Sequence, residues 1–167
     1  MDRQLRFFTF FPSIFSAGWS LSIYYAGLQF ERIGSFSQII GLIVLFICIF
    51  LAIRHTKVFY NEGFLTLKQA LKAGIKVAFV TSVLLAIFNF FFLKYINLEY
   101  AATHIEATAK AMKQDNLSEK VIAEKLEELR SSVLSPWGIS TFVLGSTLIA
   151  GAFMSFISST FLIKNPT

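Results

Sequence analysis

Tyr24, Tyr25, Gln29, Asn89, Ser140 and Thr141 are polar side chains set inside otherwise apolar runs of this sequence. If such hydroxyls and amides converge, they line a pocket able to hold a lipid or polyprenyl headgroup. If they do not, they serve as interhelical hydrogen bonds or interfacial tyrosines. Ionisable chemistry lies elsewhere. Four apolar runs carry no Asp, Glu, His, Lys or Arg between their bounding charges: Phe7 to Phe30, Ile33 to Ile53, Val77 to Leu93 and Ser131 to Ile163. Proton-coupled transporters place ionisable groups within their spans, so that mechanism is not expected. Glu124, Glu127 and Glu128, interleaved with Lys120, Lys125 and Arg130, read as a solvated helix face rather than an acid/base pair. No histidine, cysteine and acid cluster has metal-ligand spacing, and no Ser-His-acid arrangement can be assembled. We expect no enzyme, metal or cofactor.

The elements that position these residues are set by composition. Of the 167 residues, 55% are apolar and 15% charged, against roughly 25% charged in ordinary soluble domains, and the mean hydropathy is +0.64. The expected fold is all-α and polytopic, with four antiparallel transmembrane helices at about 7–30, 36–54, 70–95 and 137–163. Each is near the roughly 20 residues that a bilayer crossing takes. The apolar run after Arg6 is longer than a signal-peptide core and shows no small-residue cleavage site, so the first helix is expected to remain. Cys48 is the sole cysteine and reads as an apolar filler. Pro136 and Trp137 mark the entry to the last span, because proline suits a first helical turn and tryptophan the interface.

Lysine and arginine counts give the orientation. The N-terminal tail, the loop after span 2 and the C-terminal tail hold eight against two acids, whereas the other side holds seven against eight acids. Positive-inside then places both termini in the cytoplasm, His55 and His104 on opposite sides, and the six polar side chains in the outer leaflet half. The formal net charge of +5 is concentrated on the cytoplasmic face. Its expected partners are anionic lipid headgroups, and no aromatic-interleaved basic patch suggests nucleic acid.

Between spans 3 and 4, residues 97–134 carry two amphipathic patterns. Leu98, Ala102, Ile105, Ala109 and Met112 step by four and three, as do Ile122, Leu126, Leu129 and Val133. The spacing predicts an extracytoplasmic helical hairpin, with Asn116 and Glu119 as a capping box and Ser118 as a competing cap. A simple connector between antiparallel helices needs only a few residues, so the hairpin is expected to meet an envelope-side partner.

Small residues supply the packing device. Ala70, Gly74, Ala78, Ser82 and Ala86 recur every fourth position beside Lys68, Lys72 and Lys76, and the helix is expected to begin near Phe64. Thr147, Gly151, Ser155 and Ser159 repeat the device in the last span, and Gly18, Ser22 and Ala26 in the first. Such stripes allow close backbone approach in lipid, where the hydrophobic effect does not drive helix to helix. They serve packing within the bundle or docking of another subunit.

The chain also carries "AIRHTK" after span 2, "GFLTLKQALKAG" at the entry to span 3, "SPW" before span 4 and a mid-helix glycine, Gly151. With Gly63, Ala70, Gly74, Ser135 and Pro136, this pattern over residues 5 to 165 resembles a family of four-helix inner-membrane proteins of Bacteroidota, catalogued as a domain of unknown function. The resemblance implies a bacterial inner-membrane location and no catalytic residues. The function expected is that of an accessory or scaffolding subunit bound to other inner-membrane subunits. A lipid-linked-substrate carrier or flippase-like partner of a membrane glycosyltransferase, using the six polar residues, is the alternative.

Overall fold

The computed structural model describes residues 3–115 and 118–163, apart from the side chains of Arg32, Ile33 and Ser35. Asn116, expected to cap the second hairpin helix, lies outside them, as do Asp2 and Lys164. The regular elements are helical: α1 (Arg3–Tyr25), α2 (Arg32–Tyr60), α3 (Leu67–Phe91) with a π-helical continuation Phe92–Ile96, α4 (Tyr100–Gln114), α5 (Glu119–Glu128) with a π-helical continuation Leu129–Val133, and α6 (Pro136–Leu162). They form two compact units, Met1–Leu85 with Leu144–Thr167, and Ala86–Val143.

Among the described residues, three segments are long and apolar enough to cross a membrane: Phe36–Tyr60, Leu67–Ile96 and Pro136–Leu162. The expectation was four. At 23 residues α1 has the length, but Thr9, Pro12, Ser13, Ser16, Ser20 and Ser22 dilute its apolar run. Large apolar side chains stand outward on these helices, as Ile149, Phe153, Phe156 and Phe161 do on α6. An apolar exterior of this extent is consistent with association with a membrane.

The first unit is ordered by side-chain contacts. Phe8 meets His55 with ring centroids 6.3 Å apart, and a Cβ on Gly41 would lie 3.1 Å from Ser16 Oγ. Residue numbers rise on α1 as they fall on α2, so the two helices are antiparallel. Ile53, Gly74 and Ser155 share one layer, and Ile49, Ala78 and Gly151 the next. By the same reasoning α3 runs antiparallel to both α2 and α6, which are parallel to each other. The core around these layers comprises Leu45, Ile49, Ala52, Ile53, Leu65, Ala70, Val77 and Ala78.

The turn from α2 to α3 is sharp. Glu62 and Gly63 both have positive φ, 50° and 87°, and the Gly63 N–H donates to the Lys57 carbonyl, 3.0 Å. Glycine adopts such a φ without steric cost. The helix expected from Phe64 starts at Leu67, because Thr66 and Gln69 form a reciprocal cap. The Gln69 N–H donates to Thr66 Oγ1 (3.4 Å) and the Thr66 N–H to Gln69 Oε1 (3.0 Å). This is a Thr-x-x-Gln capping box that satisfies two otherwise orphaned donors.

In the second unit, α4 packs on α5. Ser118 stands at the N-cap of α5 without a side-chain capping bond. Ile122 alone of the two apolar stripes is buried. The entry to α6 is at Pro136, with the Gly138 N–H donating to Ser135 Oγ at 3.0 Å. A side chain at position 138 would strike the Ser132 carbonyl, so the Ser-Pro-Trp-Gly corner requires its glycine.

Candidate functional site

All five members of the α3 stripe, Ala70, Gly74, Ala78, Ser82 and Ala86, are buried. On α6, Gly151, Ser155 and Ser159 are buried as well. In the first unit the two stripes face each other. A Cβ on Gly74 would overlap Ser155 Oγ and lie 3.1 Å from Ile53 Cδ1, and a Cβ on Gly151 would overlap the Ala78 methyl. The groove of α3 is therefore filled by the chain's own last helix at this level. Ser155 Oγ donates to the Gly151 carbonyl and Ser159 Oγ to the Ser155 carbonyl, each at 2.6 Å. Backbone acceptors so close along the helix let a buried hydroxyl pack tightly without an orphaned donor.

Several other hydroxyls of the long helices behave alike, whereas Thr81 Oγ1 and Ser158 Oγ are buried with no hydrogen-bond partner among the described residues. Thr9, Ser13, Thr56 and Ser82 each donate to a carbonyl three or four residues earlier on their own helix.

The six polar residues divide between the units. Tyr24 and Gln29 are half-buried in the first, and Tyr25 is exposed there with its ring 5.3 Å from that of Tyr24. Asn89, half-buried, Ser140, buried, and Thr141, exposed, belong to the second. Ser140 and Thr141 donate to the carbonyls of Pro136 and Trp137. Their hydroxyl protons are thus directed along α6.

Two cavities, each of about 320 Å³, are lined by other residues. One opens at the α2–α3 turn beside Tyr60, Leu65 and Gln69. The other is an apolar groove on the α4 side of the second unit, floored by Leu98, Ala101, Ala102 and Ile105 and flanked by Glu106 and Arg130. Lys110 Nζ lies 2.8 Å from the Glu106 carboxylate; that hydrogen bond and the Lys110 charge hold Glu106 below the usual carboxylate range. Burial pushes the Tyr100 phenol up, its ring resting 4.4 Å from His104. The stepping of α4 made its apolar face legible, but a gap between helices leaves no mark in a single sequence.

Near this groove the second unit carries an aromatic rim. Lys94 Nζ lies 5.3 Å from the Phe90 ring centroid and 5.4 Å from that of Tyr95, and Trp137 meets Phe90 edge-on at 6.1 Å. Tyr95 and Trp137 remain largely exposed. Lysine and aromatic side chains together at the end of an apolar segment are the residue types enriched where helices leave a bilayer.

Comparison with known proteins gives one family assignment. No match was found among curated proteins or among solved structures. Residues 8–164 match the model of the family described as "Protein of unknown function (DUF4199)". Nearly the whole chain lies within that match, and the protein belongs to the DUF4199 family.

Proposed function

We propose that the protein is a non-catalytic accessory or scaffolding subunit of a larger assembly in the bacterial inner membrane, and that the α4–α5 pair meets an envelope-side partner. The observation that carries this reading is the open apolar groove at Leu98, Ala101, Ala102 and Ile105 between two oppositely charged side chains. A water-facing helix pair that buries only Ile122 of its stripes leaves apolar surface for another chain to cover. Supporting it, the buried hydroxyls of Ser13, Ser82 and Ser155 donate to their own helix backbones. In this reading α1 is the fourth span. Its 23 residues reach about 34 Å at 1.5 Å each, and it exposes Phe7, Phe10 and Ile14. Both termini are then cytoplasmic.

The test is purification from native membranes in mild detergent, comparing the parent with Ala102→Arg. A stoichiometric partner retained by the parent and lost from the variant is expected. A parent that purifies alone, or a variant that keeps its partner, overturns the reading. A stoichiometric polyprenyl-linked lipid instead of a protein would favour the carrier alternative.

A further inference from the structure

The charged face of α3 lies opposite its packed stripe. At 100° per residue, Lys68, Lys72 and Lys76 lie about 160° around the helix from Ala70, Gly74 and Ala78. The small residues are packed inward, Gly74 against Ser155 and Ala78 against Gly151, so the lysines point away from the bundle, and all three are exposed. Among the described residues none of the three side chains makes an ion pair or hydrogen bond. The ladder rises about 12 Å along the axis from Lys68 to Lys76, enough to pass through one headgroup layer of a bilayer. On the same outward side stand Ile75, 41% exposed, and Phe79, 56% exposed. The outward face thus changes from cationic to apolar within one turn.

Further positive charge gathers at this end of the first unit. Arg54 and Lys57 close α2 and, because α1 runs antiparallel to α2, Arg3 and Arg6 open α1 at the same end. Glu62 is the one acid there among the described residues.

We propose that this face of α3 binds an anionic phospholipid, with Lys68, Lys72 and Lys76 on its phosphate and polar headgroup and Ile75 and Phe79 against its acyl chains. A soluble phosphate has no use for the apolar half of the site, and the unpaired positive charge disfavours a headgroup carrying its own ammonium. The proposal is independent of the accessory-subunit reading, since it concerns residues of the first unit and the groove belongs to the second.

The test is native mass spectrometry of the detergent-purified full chain titrated with phosphatidylglycerol or phosphatidylcholine. The parent is expected to retain phosphatidylglycerol selectively. The Lys68→Gln, Lys72→Gln, Lys76→Gln triple variant should bind it about a hundred-fold more weakly. The triple lysine-to-arginine variant should retain it, as should a Lys110→Gln, Lys113→Gln, Lys120→Gln control. Equal retention of the two lipids by the parent overturns the proposal without reference to any variant. So does undiminished binding by the glutamine variant, or competition by glycerol phosphate as effective as that by the lipid.

Discussion

At the scale of single residues, the contact between α3 and α6 depends on atoms that are not there. Gly151 accepts the Ala78 methyl, and Gly74 accepts Ser155. Gly151→Ala is expected to cost about 1–3 kcal/mol by overpacking, read as a lower thermal midpoint in detergent. Adding Ala78→Gly should restore part of the loss, because the added methyl then has somewhere to go. Ala78→Leu should likewise destabilise the monomer, whereas Val83→Ile, outside the stripe, should not. If Gly151→Ala melts like the parent, these helices do not meet in this way. In water, Glu106 gives a pH prediction of definite sign. Its folded-state pKa lies below the unfolded value, so the contribution is present above the unfolded carboxylate pKa and is lost as pH falls through the folded one. Amide protection across residues 106–110 should fall between about pH 7 and pH 3 more in the parent than in Glu106→Gln.

At the scale of elements, helix ends separate what the sequence states openly from what it conceals. Thr66 and Gln69 stand three apart, a spacing as readable as any in the chain. Yet the apolar Phe64 and Leu65 before them suggest an earlier start, and the reciprocal Thr66–Gln69 cap is what sets it at Leu67. Thr66→Ala should cost about 1 kcal/mol while Thr66→Ser costs little, as thermal unfolding can measure. The four-residue stepping of Ala70, Gly74 and Ala78 announced a close approach, and the Gly151 and Ser155 repeat announced another. That the two stripes are one another's partners follows only from the antiparallel run of α3 and α6, which periodicity alone does not convey. The six polar residues show the reverse. Their common depth was inferred from topology, but position along a helix fixes neither azimuth nor hydrogen-bond direction, and Ser140 and Thr141 turn to their own helix.

For the whole molecule, the accessible quantity is sidedness. Asp115→Cys, in a chain whose Cys48 is replaced by alanine, should react with a membrane-impermeant thiol reagent in intact spheroplasts. Labelling that requires lysis would reverse the orientation and put the basic end of the first unit outside. The pairing of α3 with α6 also has a consequence in time. Synthesis delivers the α3 groove first, then α4 and α5, and only afterwards the helix that fills it. At about 5–20 residues per second, α3 spends seconds in the membrane with Gly74 and Ala78 uncovered. A nascent chain stalled before Pro136 would present that bare surface to every neighbouring helix. Such truncated chains should cross-link promiscuously through position 78 and be degraded faster than the finished protein, which makes the arrival of α6 the step that ends the chain's exposure to quality control.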